Sequence, residues 1–130
     1  MRRVVVTGLG LVTPLACGVE ASWKKLIAGD SGLGPIARFD AAELPARIAG
    51  EVPYGEGEDE FHADRWIPPK EQKKMDVFIH YAMAAAGMAL EDAGWKAESE
   101  AAQHRTGVMV GSGIGGLPAI ENSVRIAIEK

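Results

Sequence analysis

A short apolar run, Val108-Met109-Val110, ends in Gly111-Ser112-Gly113-Ile114-Gly115-Gly116, which packs four glycines into six residues. Glycine adopts positive φ and lets a backbone or ligand approach closely, so this density after a strand marks a site as well as a turn. The preceding run has a counterpart in Val4-Val5-Val6, which Thr7-Gly8-Leu9-Gly10 turns. Continuous apolar runs without alternation are the pattern of strands buried on both faces of a parallel or mixed sheet. The pair predicts an α/β chain with a crossover between Val6 and Val108. Ile114, alone among glycines, suits the mouth of a hydrophobic pocket. The alternative is a phosphate-cradling, dinucleotide-binding loop, because Gly111, Gly113 and Gly116 satisfy G-x-G-x-x-G. The acidic ribose-binding residue, due about twenty residues on, would fall at or beyond the end of the chain. The first loop offers Gly8 and Gly10 but has Thr13 at the third position.

Between these runs the pattern is helical. Val19 to Ala28 reads as a first helix with Val19, Trp23, Leu26 and Ile27 on one face, Lys24 and Lys25 pointing away, and Gly29 as its stop. Asp30 to Pro35 reads as loop. Arg47 to Val52 reads as a short edge strand, ended by Pro53. Glu56-Gly57-Glu58-Asp59-Glu60 reads as a solvated acidic loop. The longest helix is expected from Lys70 to Ala93, between Pro68-Pro69 and Gly94. Alanines recur on its stripe at Ala82, Ala86, Ala89 and Ala93, which implies close packing against another element. A last helix begins near Pro118 and carries Leu117, Ile120, Val124 and Ile128 on one face. It is still periodic at Lys130, and the two buried strands need neighbours; both features predict a segment of a longer protein.

The chain has 130 residues and a formal net charge of −4, which argues against a nucleic-acid binder. No apolar run reaches the roughly 18 residues of a membrane span. Met1-Arg2-Arg3 and the apolar stretch to Cys17 loosely resemble a lipoprotein signal, but Thr7, Gly8, Gly10, Thr13 and Pro14 interrupt it and favour strand and turn. Cys17 is the single cysteine, so no disulfide framework exists and a reducing compartment fits. It precedes a helix without a nearby histidine, and reads as a small buried hydrophobe rather than a nucleophile. His62, His80 and His104 lack metal-ligand spacing; His80 is expected to be packed or at the surface, His62 and His104 to be exposed. Residue types and spacing alone therefore supply no catalytic constellation and call for no cofactor or metal.

Lys70, Lys73 and Lys74 open the expected long helix, where a positive dipole end disfavours cations by roughly 0.3–1 kcal/mol each. Glu91 and Asp92 close it, again against the dipole. A functional reading is a cationic patch for an anionic partner; the alternative is a solvated polar face.

Taken together, Arg3-Val4-Val5-Val6-Thr7-Gly8-Leu9-Gly10 with Thr13-Pro14, Lys70-Glu71-Gln72-Lys73-Lys74-Met75-Asp76 and Gly111 to Gly116 resemble three signatures of the type II β-ketoacyl-acyl carrier protein synthases, in the same order and at matching separations. Phe39-Asp40 and Asp92-Ala93-Gly94 look alike as well. The resemblance covers essentially the whole chain and only the opening third of a family member, which implies that residues 1–130 are an amino-terminal segment. It implies a partial thiolase-like layered α/β fold, in family members built from two similar halves, and a cytoplasmic homodimer that elongates fatty acids. In that family a cysteine takes an acyl chain from acyl carrier protein. Two histidines support decarboxylation of the malonyl thioester, and the resulting carbanion attacks the acyl thioester. The resemblance puts the cysteine and both histidines beyond Lys130, so no catalytic residue carries over; the alternative is a non-catalytic domain whose own task is to bind acyl carrier protein. It does imply an acyl-pocket role for Ile114 and Leu117, and carrier binding by Lys70, Lys73 and Lys74. Lys73 stands where arginine is common, which keeps a point charge but loses bidentate contacts. The acidic stretch before Phe61-His62 looks longer than usual, and would weaken steering of an acidic carrier unless it points away.

Overall fold

The computed structural model describes residues 2–129. In chain order it contains α1 (Val19–Ala28), β1 (Leu33–Pro35), β2 (Ile48–Gly50), a 3-10 turn (Ala63–Arg65), α2 (Pro69–Gln72), α3 (Val77–Ala93), α4 (Glu100–His104) and α5 (Leu117–Glu129). The sheet is a two-stranded antiparallel pair, with Leu33 opposite Gly50 and Pro35 opposite Ile48. The expected edge strand is therefore β2, and the expected loop from Asp30 contains its partner.

The two apolar runs are the main correction. Neither Val4–Val6 nor Val108–Val110 forms a strand, and Val4 and Met109 are 95% and 98% exposed. A strand exists only through a neighbour's hydrogen bonds, and among the described residues these runs find no neighbour. The α/β class survives as helices plus one small sheet, without the crossover between paired strands.

The amino-terminal segment instead crosses α3. A Cβ on Gly8 would collide with the Ala89 carbonyl and with Ala93; one on Gly10 would collide with the Ala85 carbonyl. The alanine-rich helix thus meets bare backbone, as its stripe implied, although Ala85 was not among the stripe residues singled out. Asp92 Oδ2 accepts from the Leu9 N–H at 2.8 Å and pins the crossing. This carboxylate sits against the helix dipole but accepts a hydrogen bond from the amino-terminal segment.

The core lies beside this crossing. Phe61, Ala63 and Ala84 are buried, with Val12, Cys17, Val52, Trp66, Tyr81 and Met88 packed around them. Phe61 meets Tyr81 edge-on, with ring centroids 4.9 Å apart. The end of the acidic stretch therefore supplies the central aromatic anchor. The stretch itself is tied down: Arg65 donates to the Glu56 and Gly57 carbonyls, and Lys25 pairs with Asp59 at 3.5 Å.

Two helix expectations change. α1 has the expected bounds, but its buried residue is Ser22, bonded to Thr13 and to the Ala16 carbonyl, while Trp23, Leu26 and Ile27 are exposed. Lys25 turns inward to the Leu15 carbonyl rather than away. The long helix begins at Val77 and not at Lys70, because Asp76 caps it in extended conformation after a one-turn α2. Gly94 ends it as expected.

Candidate functional site

The segment before α3 carries three exposed lysines. Pro68 caps α2 and Pro69 opens it, where a missing N–H costs nothing. Gln72 is the internal brace: its side-chain amide donates to Asp64 Oδ1 at 2.7 Å and to the Ile67 carbonyl at 2.8 Å. His80 Nε2, one turn into α3, lies 3.2 Å from the Gln72 carbonyl. With the backbone braced from beneath, Lys70, Lys73 and Lys74 all face solvent. Lys74 pairs with Glu71 at 2.8 Å, whereas Lys70 and Lys73 form no ion pair among the described residues. The dipole conflict expected for these lysines disappears. They belong to a separate short turn, and the long helix starts with an aspartate, as its positive end prefers.

The glycine loop packs on that same end of α3. A Cβ on Gly115 would lie 3.6 Å from the Phe78 ring, and Gly115 itself holds φ +81°, a left-handed conformation that side chains resist. A Cβ on Gly116 would run into the Asp76 carboxylate. Asp76 Oδ1 accepts from the Val77 N–H at 2.6 Å, and Oδ2 accepts from the Ala119 N–H at 3.1 Å in the first turn of α5. A single carboxylate, two residues past Lys74, thus joins α3 to the first turn of α5, with Gly116 of the glycine loop packed against it. Sequence reasoning took Asp76 only as the end of a motif; its position just before an apolar helical run was the available capping signal.

This geometry also weighs against phosphate cradling. The α5 amide to which a bound phosphate would be drawn is already held by the protein's own anion. Gly111 and Gly113 have nothing within 4 Å of a notional Cβ, so that half of the loop is open. Ile114 and Leu117 are 74% and 58% exposed at its edge. Ile120, Val124 and Ile128 continue the exposed apolar face along α5.

The remaining candidates behave structurally. Cys17 is half-buried, its N–H donating to the Asp59 carbonyl at 2.8 Å. Burial pushes its thiol above the usual range, with the Arg65 charge pulling partly back, which is opposite to what a nucleophile needs. It lines an open groove of about 910 Å³ with Leu9, Trp23, Ile27 and Met88, and neither Ile114 nor Leu117 lines that groove. His62 is half-buried against Tyr54 rather than exposed, and His104 is exposed beside Glu100. Among the described residues, no cluster has the make-up of a metal site, and no helix is long and apolar enough to cross a membrane.

Residues 1–127 match the family model described as β-ketoacyl synthase, N-terminal domain. The chain is 57% identical over 121 residues to the 3-oxoacyl-[acyl-carrier-protein] synthase 2 of Rhizobium meliloti (strain 1021), covering 92% of this chain and 29% of that protein. It is 45% identical over 129 residues to the enzyme of the same name from Vibrio cholerae serotype O1, covering 99% of this chain and 30% of that one. A solved structure, the ishigamide ketosynthase/chain length factor, matches with a TM-score of 0.60 and 40% identity over 73% of this chain and 22% of its own. The chain therefore spans about three-tenths of the length of the curated relatives it matches.

Proposed function

The chain belongs to the β-ketoacyl synthase family, and on that premise we propose that it forms the carrier-docking surface and part of the acyl-pocket wall of a fatty-acid-elongating condensing enzyme. The partner is acyl carrier protein, an acidic protein that delivers acyl and malonyl groups as thioesters. Lys70 and Lys73, free of ion pairs among the described residues, and Lys74, shared with Glu71, meet its acidic surface. Ile114 and Leu117 line the path of the acyl chain. The observation that carries this reading is that the lysine segment and the glycine loop abut at one end of α3, joined through Asp76. A carrier docked on the lysines is thus presented beside the loop that would receive its apolar cargo.

The reaction proposed for the whole enzyme is decarboxylative condensation. An enzyme cysteine holds the acyl group as a thioester, malonyl-carrier loses carbon dioxide, and the resulting carbanion displaces the cysteine to leave a lengthened β-ketoacyl-carrier. No residue of this chain is given a catalytic role, and no cofactor is called for. Cys17 does not stand at the family's nucleophile position, and its burial disfavours the thiolate. The 130-residue chain alone is expected to yield no condensation product from radiolabelled malonyl-carrier.

Calorimetric titration with acyl carrier protein tests docking. Binding is expected to weaken as salt rises, since exposed charges are screened over about 8–10 Å at 0.1–0.15 M. A Lys70→Glu, Lys73→Glu, Lys74→Glu variant with an unchanged circular dichroism spectrum should lose it. Equal affinity in that variant would overturn the docking role.

A further inference from the structure

We infer that Asp76 is a positioning residue, which locks the Gly111–Gly116 loop to the lysine segment so that a docked carrier and the Ile114 side chain share one fixed register. The inference rests on the docking reading above, but the lock itself is a property of this chain alone. An ordinary helix cap satisfies the amides of one helix. Here the two carboxylate oxygens divide between two helices, one accepting from the adjacent Val77 on α3 and the other from Ala119 on α5, 43 positions from Asp76. Two positive helix ends converge on one negative group, and hydrogen bonds to an ionised acceptor are the stronger kind. The loop is shaped to admit that group. Gly116 leaves room where any Cβ would strike the carboxylate, and Gly115 turns over the Phe78 ring. Ile114 is the next residue out, and Lys74 lies two positions before Asp76 on the other side.

A carboxylate is specifically required. An asparagine can accept with its single oxygen and so keep one helix capped, but its amide nitrogen then faces the other N–H donor to donor. Asp76→Asn should therefore retain the α3 cap and release α5. Gly116→Ala, which leaves Asp76 in place and displaces its carboxylate by bulk, should reproduce the release by a different atom.

The test is residue-resolved amide hydrogen exchange by NMR on the wild-type chain and both variants, then repeated with acyl carrier protein. In both variants the Ala119 amide should exchange roughly five- to thirtyfold faster, and the Ile114 and Gly115 signals should move, while protection at Ala84 to Met88 is retained. Unchanged exchange at Ala119 would overturn the lock, as would a uniform loss of protection across α3, which would make Asp76 a stability cap only. With carrier added, wild-type perturbations should spread from residues 70–74 to Gly115 and Ala119; in Asp76→Asn they should stop at the lysine segment. Perturbations that still reach Ile114 in Asp76→Asn would overturn the coupling. If carrier leaves residues 70–74 unmoved in the wild type, the docking reading fails, and the lock is decided by the exchange data.

Discussion

The two ends of α3 meet glycine-rich loops in different ways. At the carboxyl-terminal end Gly8 and Gly10 lie against helix backbone, and Asp92 holds Leu9 from the side. At the amino-terminal end Asp76 accepts from Ala119 just past its loop, Gly116 lies against that carboxylate and Gly115 against Phe78, while Gly111 and Gly113 stay open. Both loops follow short apolar runs and both contain G-x-G, yet one uses its glycines to close a packed contact and the other keeps a space. Glycine density therefore reports close approach, and only the structure distinguishes approach by the protein's own helix from an opening beside an exposed isoleucine.

Substitutions separate the two roles. Gly8→Ala or Gly10→Ala forces a methyl into a carbonyl that cannot step aside, and each should cost about 1–3 kcal/mol in thermal or urea unfolding. Asp92→Ala, which removes the exposed acceptor of the Leu9 N–H, should cost about 0.5–1.5 kcal/mol on the same measurement. Gly111→Ala and Gly113→Ala should stay within about 0.5 kcal/mol of wild type, because neither residue holds positive φ and both face open space. Equal losses from all four glycine substitutions would erase the distinction. The smallest effect expected is at Cys17. Its alkylation by iodoacetamide at neutral pH should be slower than that of a free thiol, with the rate rising only at higher pH. Arg65→Gln should move that rise further up, because the Arg65 charge is what partly lowers the thiol. Fast alkylation at neutral pH would contradict the burial of this thiol.

Much of this was readable from residues, and the failures have definite causes. α1, the Gly94 stop, the β2 edge strand and the close-packed alanine face follow from periodicity and punctuation, which are local. The lysine segment and glycine loop were legible as motifs. Three things were not. Val4–Val6 and Val108–Val110 carry strand chemistry, but pairing is non-local, and no partner lies among the described residues. Phe61 looked like the tail of an acidic loop, because nothing in its neighbours announces that Tyr54 and Tyr81 close around it. The third was the start of α3: an unbroken helical pattern from Lys70 hid the break at Asp76, and with it the reason the lysines are not misplaced charges. Misreading that boundary turned an ordinary acidic cap into an apparent violation, although the inference of a cationic face drawn from it is kept in the proposed docking role. The pairing of Asp76 with Ala119 spans two motifs, and no one-dimensional pattern contains it.

An NMR titration of the isotope-labelled chain with acyl carrier protein, at low and then at raised salt, compares the two ends of α3 in one experiment. Salt-sensitive shifts concentrated at Lys70 to Asp76 and at Gly113 to Ala119, with Gly8, Gly10 and Ala89 to Ala93 unmoved, are the predicted result. Shifts centred on the Gly8–Gly10 crossing, or none at all from the folded chain, would contradict the assignment of the amino-terminal end of α3 as the docking end.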